Sequence, residues 1–230
     1  VSSAASDVYK RQIIYLLVLI IPAIASFNIN SNYKKFKQIE LNKKISGFEV
    51  ARKILDENGL DNVYIIETQR DLGDCYDSAR KTVKLSKDVF HGETIAAASI
   101  AAHECGHAIQ DKEGYSWMKI RSAVFPIVSI SNKIAYVTLI LGLIFQYSDL
   151  VLVSVILTTA SLLFQLITLP VEFDASDRAS KLLEELKLVD TDELEGTKKI
   201  LKSAALTYVA GVLTTMLQML YYLMLSRSKD

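Results

Sequence analysis

Apolar residues along this chain are bunched into four long runs separated by polar stretches. Leu150 to Leu169 and Ala204 to Leu225 carry no charge, and each is long enough to cross roughly 30 Å of hydrocarbon as a helix. Ile13 to Phe27 is shorter and contains Pro22, so taken alone it also fits a signal-peptide core. Ala123 to Phe145 carries Pro126, Asn132 and Lys133, which leaves Ile134 to Phe145 as its clean apolar part. It reads as a span whose first turns lie at the interface or against protein. The competing explanation is a buried soluble core, but buried helices of soluble proteins are usually shorter than these runs. The pattern therefore predicts a mainly α membrane protein with spans at 13–27, 123–145, 150–169 and 204–225.

The polar stretches hold the remaining structure. Between the first two spans, residues 28–122 read as a small α+β unit. A helix is expected from Gly47 to Gly59, because Ser46 is a good N-cap, Val50, Ile54 and Leu55 form an apolar stripe, and Gly59 ends it. Asn62 to Thr68 and Lys81 to Ser86 read as strands, with a turn-rich segment from Asp71 to Asp77 between them. Such a strand, beside a reactive site, is able to bind an extended peptide by main-chain pairing. The second stretch, 170–203, opens with Pro170 to Ala179, which reads as the first turns of a helix. No internal repeat or low-complexity linker appears.

Charge refines this picture. The 26 basic and 26 acidic residues cancel, which removes any electrostatic case for a nucleic-acid partner. Four spans place 28–122 and 170–203 on one side, and both termini with the Gln146 to Asp149 link on the other. Near the span ends the first side carries Lys34, Lys35, Lys37, Lys43, Lys44, Lys119, Arg121, Arg178, Lys181, Lys198, Lys199 and Lys202. The other side has Lys10, Arg11, Arg227 and Lys229. The positive-inside bias puts the first side in the cytoplasm. Residues 1–12 lack a starting Met and blend poorly with the run that follows, so they are read as a non-native N-terminal scar. The two cysteines, Cys75 and Cys105, suggest neither a disulfide framework nor a thiolate metal site.

The chemistry is concentrated in His103-Glu104-Cys105-Gly106-His107. Positions i and i+4 of a helix share one face, so both imidazoles can reach a single Zn²⁺ while Glu104 sits near its water. The alanine-rich segment from Ile95 supplies a strong helix former for the motif. Gly106 costs roughly 1 kcal/mol of helix propensity, and its missing side chain lets another element approach closely. Chance could produce such a motif, but the chain has only three histidines and two of them stand here at the ligand spacing.

A catalytic zinc site normally has three protein ligands. The candidates for the third are His91, Glu172, Asp174 and Asp177. Glu172 emerges at the end of the third span on the same side as the histidines, although a carboxylate there also fits a solvated helix N-terminus favoured by the macrodipole. His91, next to Gly92, reads rather as a loop or substrate-side residue. A further oxyanion donor is usual in peptide hydrolysis, and His91 or Tyr76 could supply it. Two non-proteolytic classes compete. A structural zinc site would be closed by a fourth ligand, whereas Glu104 is a spare carboxylate placed where a general base belongs. A metal transporter would need polar or ionisable residues inside the spans, and the two clearest spans contain no charge.

The blocks HECGHAIQ, Asp88 to Gly92, Glu49 to Leu55 and Leu169 to Ser176 resemble, in order, the YugP-like family of membrane zinc metallopeptidases. The segment Glu172-Phe-Asp-Ala-Ser176 is more distantly similar to the Glu-Tyr-x-Ala-Asp segment of HtpX-like membrane endopeptidases, whose Glu is the third zinc ligand. The resemblance implies a gluzincin-like zinc endopeptidase in a bacterial cytoplasmic membrane, acting on protein or peptide substrates, membrane proteins among them. It implies Zn²⁺ on His103, His107 and Glu172, with Glu104 as general base. Ser176 stands where an Asp would orient a zinc histidine, so that role falls to Ser176, Asp177 or another residue.

Overall fold

The computed structural model describes residues 3–70 and 73–226. The elements, in order, are α1 (Ser3–Phe36), α2 (Gly47–Glu57), β1 (Tyr64–Thr68), β2 (Cys75–Asp77), β3 (Thr82–Ser86), α3 (Lys87–Phe90), α4 (Ile95–Glu113), α5 (Ser116–Ile144), α6 (Ser148–Glu185) and α7 (Thr191–Ser226). Four stretches are long and apolar enough to cross a membrane: Val8–Phe36, Ser116–Ile144, Ser148–Glu185 and Thr191–Leu225. These helices outrun the apolar segments that predict them. Hydropathy marks where a helix can meet hydrocarbon, whereas backbone hydrogen bonding continues into polar sequence such as Asn28 to Phe36. Arg227 and Lys229, the first two residues of the proposed N-terminal scar, and Asp71 and Leu72 of the expected turn lie outside the described residues.

The chain divides into two compact units. The first comprises Val1–Ser26, Ile120–Leu169 and Thr207–Asp230. Its large apolar side chains face outward, as with Ile127 at 64% exposure and Ile156 at 63%, while Ser154, Thr168 and Thr215 are buried. That inversion suits a hydrocarbon solvent, where apolar surface has no reason to hide and buried hydroxyls must find partners. Thr168 donates to the Phe164 carbonyl one turn back, and Gln165 Nε2 lies 2.8 Å from Thr215 Oγ1.

The second unit, Phe27–Lys119 and Pro170–Leu206, is built around a three-stranded sheet of order β1-β3-β2. The central β3 runs parallel to β1, Val83 beside Ile65, and antiparallel to β2, Val83 beside Tyr76. The expected turn over 71–77 thus ends in a short edge strand. A capping box fixes the start of α2: Ser46 Oγ accepts from the Glu49 amide, and the Ser46 amide donates to the Glu49 carboxylate. Its stripe of Val50, Ile54 and Leu55 is fully buried in one continuous core with Val83, Leu85 and the alanines of α4. Thr94 caps α4 by accepting from the Ala97 amide, and Gly114, at φ 68°, ends it in the left-handed conformation. The core thereby holds one face of α4 rigidly.

Candidate metal centre

The site lies wholly within the second unit, on α4 and the polar end of α6. Close approach of these two helices depends on Gly106. A Cβ there would stand 2.7 Å from the Ala175 carbonyl oxygen, so only glycine allows the backbones this near. Ala175 and Ala179 on α6 and Ala98, Ala101 and Ala102 on α4 are all fully buried.

That approach brings Glu172 to the histidines. Its Oε2 lies 3.3 Å from His103 Nε2 and 3.6 Å from His107 Nε2. Among the described residues, these three side chains form a group whose ligand atoms all fall within 4.8 Å of one another. Donors held at about 2.0–2.1 Å from a tetrahedral zinc ion lie roughly 3.3–3.4 Å apart, close to the two separations from Glu172 to the histidines. The donor set of two imidazole nitrogens and one carboxylate oxygen also fits that metal.

The electrostatics agree. Burial alone pushes the Glu172 carboxyl up and the His107 imidazole down. Hydrogen bonds with His103 and then His107 reverse this for Glu172, holding it below the usual carboxylate range, and the bond to Glu172 together with the Glu104 charge holds His107 above its own. Glu104, also buried on α4, is left with burial as the dominant influence, which raises its carboxyl above the ordinary range against the pull of His103 and His107.

Behind the ligands lies a set of polar contacts. His107 Nδ1 is 3.0 Å from Gln110 Oε1, and Gln110 Nε2 donates to both the Val171 carbonyl and Asp174, each at 2.8 Å. Arg178 joins Asp174 at 2.6 Å and Glu113 at 2.8 Å. His103 Nδ1 is 3.3 Å from Ser176 Oγ. Of the two named orienters, Ser176 stands at the ring, while Asp177 is exposed and pairs with Lys181 one turn along.

Other candidates go elsewhere. Asp174 serves Gln110 and Arg178 and does not join the ligand group. His91 follows α3 as its C-cap, more than half exposed, with Nε2 2.8 Å from Glu67 Oε2. Tyr76 donates its hydroxyl to Asp111 at 2.7 Å, and burial together with that bond pushes its phenol well up. Both side chains are therefore committed to carboxylates outside the ligand group, because each faces an acidic partner on a neighbouring element. Cys75 is exposed and Cys105 buried. Cys105 Sγ contacts the Ala51 carbonyl at 3.6 Å, and burial raises its thiol, so it behaves as a small core residue. Gln110, Arg178 and Glu113 carried no sequence signal beyond the Gln at the end of HECGHAIQ.

Comparison with known proteins places this geometry. A profile of the family described as "Putative neutral zinc metallopeptidase" matches residues 11–227. The chain belongs to that family. It is 38% identical over 201 residues to the "Putative membrane protease YugP" of Bacillus subtilis (strain 168), an alignment covering 87% of this chain and 89% of the relative. No solved structure matches it. Zinc is the metal of that family, and the His103, His107 and Glu172 group is one that could hold a metal ion; the four apolar helices together with the membrane relative make the protein an integral membrane protein.

Proposed function

We propose that the protein is a zinc-dependent membrane endopeptidase in which His103, His107 and Glu172 hold the metal and Glu104 is the general base. The observation that carries this reading is the approach of one Glu172 oxygen to both histidine Nε2 atoms, with a second, spare carboxyl, Glu104, buried on the helix that carries the histidines. Bound zinc supplies a Lewis acid that polarises a carbonyl and lowers the pKa of water to about 7. Glu104 would take a proton from a water as the water oxygen adds to the scissile carbonyl carbon, and would return the proton to the nitrogen as the C–N bond breaks. Ser176 Oγ and Gln110 Oε1 face the outer ring nitrogens, and by accepting from them they would leave Nε2 of each histidine as the ligand atom. The oxyanion donor is not assigned to Tyr76 or His91, whose side chains are engaged with Asp111 and Glu67.

In this reading residues 28–122 and 170–203 form the catalytic side, the spans cover 13–27, 123–145, 150–169 and 204–225, and residues 1–12 stand apart from function. The spare carboxyl favours catalysis over a structural zinc site. The lysine bias puts the catalytic side in the cytoplasm of a bacterial cell, facing peptide or protein substrates beside the bilayer.

Glu104→Gln should abolish cleavage of casein by the purified full chain while keeping about one zinc per chain, as separation of base from ligand requires. Full activity in that variant sinks the mechanism. For orientation, a cysteine at Lys43 or Glu195 should resist a membrane-impermeant thiol reagent in intact cells and react after lysis. Labelling of intact cells reverses the topology.

A further inference from the structure

Gln110 is a fully buried amide one turn beyond the motif, and it touches both halves of the metal site. Its Oε1 lies 3.0 Å from His107 Nδ1, and its Nε2 reaches the carbonyl of Val171, the residue before Glu172, at 2.8 Å. The same Nε2 donates to Asp174, which Arg178 holds in turn while also pairing with Glu113 on α4. An amide has one acceptor and one donor end, and only one orientation serves these neighbours. A carbonyl and a carboxylate accept, so the NH₂ must face α6 and the oxygen must face the imidazole.

Resting on the zinc-peptidase reading, we infer that Gln110 is the positioning residue that makes the two ligand-bearing helices one site. Its oxygen accepts from His107 Nδ1–H, which turns Nε2 toward Glu172 and makes it the atom of that ring available to a shared metal. Its amide group pins the backbone from which Glu172 projects. The Asp174–Arg178–Glu113 chain holds the amide in that orientation: turned over, its oxygen would meet the Asp174 carboxylate and its NH₂ the ring N–H. A polar group buried this completely costs stability unless every partner is in place, so its contacts fix one arrangement of α4 against α6.

The substitutions that test this are Gln110→Leu, which fills the space without either function, and Gln110→Glu, which keeps an acceptor for His107 but loses the donor to Val171. The full chain in detergent is loaded with zinc, and metal release to a chelator is timed. The Co²⁺-loaded form gives a visible spectrum that reports ligand geometry apart from activity. Gln110→Leu should release zinc 10–100-fold faster than the parent and alter the Co²⁺ spectrum, with Gln110→Glu between the two. Should Gln110→Leu not fold, Gln110→Met takes its place, since its flexible chain fills the same volume. Parent-like release and spectrum in the apolar variant, or a Gln110→Glu variant no better than it, overturns the inference. A parent chain that binds no zinc overturns the zinc reading itself, so the two failures are distinct.

Discussion

Ile54 and Ile156 are the same residue on helices of the two units, yet Ile54 is fully buried in α2 whereas Ile156 is 63% exposed on α6. The polar residues show the reverse difference. Gln165 in the membrane unit does no more than pair with Thr215, while Gln110 in the soluble unit ties a histidine, a helix carbonyl and a carboxylate together. In water, apolar burial drives folding and the interior can afford a few polar groups only when each has a task. In hydrocarbon, apolar burial contributes little between helices, and close packing with partnered hydroxyls takes over. One chain therefore shows two patterns of burial, and the His103, His107 and Glu172 group sits in the unit built around the apolar core.

The largest expected effect tests that placement of chemistry. Glu172→Ala should weaken zinc binding well beyond the 10–100-fold typical of an orienting residue, whereas Asp177→Ala, whose side chain pairs with Lys181 at the surface, should leave it unchanged. Competition with a chromogenic chelator measures both, and equal zinc retention by the two variants removes Glu172 from the metal.

A second comparison is of packing. Ile54→Ala should destabilise the soluble unit by about 2–5 kcal/mol through lost transfer energy and a cavity, while Ile156→Ala should cost less than about 1 kcal/mol, since lipid fills the space. Thermal unfolding in lipid bicelles, read by proteolysis of the soluble unit and by helicity, separates them. Equal losses would mean that Ile156 packs against protein. The smallest effect is expected for Gln165→Leu, which removes an interhelical bond worth about 0.6 kcal/mol in such bundles. A loss several times larger in the same bicelle assay would make the Gln165–Thr215 pair an organising feature of the bundle.

Much of this was legible because local signals were strong. His103 and His107 stand at helical spacing inside an alanine-rich run, Ser46 and Glu49 make a capping box within one turn, and Gly106 announces close approach without saying what approaches. Glu172 became a ligand candidate through topology and resemblance, since nothing in its own neighbourhood separates it from Asp174 or Asp177. The network behind it was not legible. A single glutamine on a helix has no periodic signature, and Gln110 gains its meaning from the Val171 carbonyl across a long stretch of chain. Pro170 suggested a helix start, yet α6 runs through it unbroken from Ser148 to Glu185. Proline removes one backbone donor, and a long helix in lipid can tolerate the loss when neighbours compensate.

The continuity of α6 bears on how the protein is made. During synthesis the apolar segment 13–27 and then the HExxH segment leave the ribosome, and the apolar segments 123–145 and 150–169 follow before Glu172 appears. A nascent chain that has not yet reached α6 carries the two histidines and the proposed base but lacks the carboxylate with which they would share the proposed metal. The proposed donor set is thus completed by the same helix that carries the third apolar run, so in this reading the site is complete only after three of the four apolar runs have been translated.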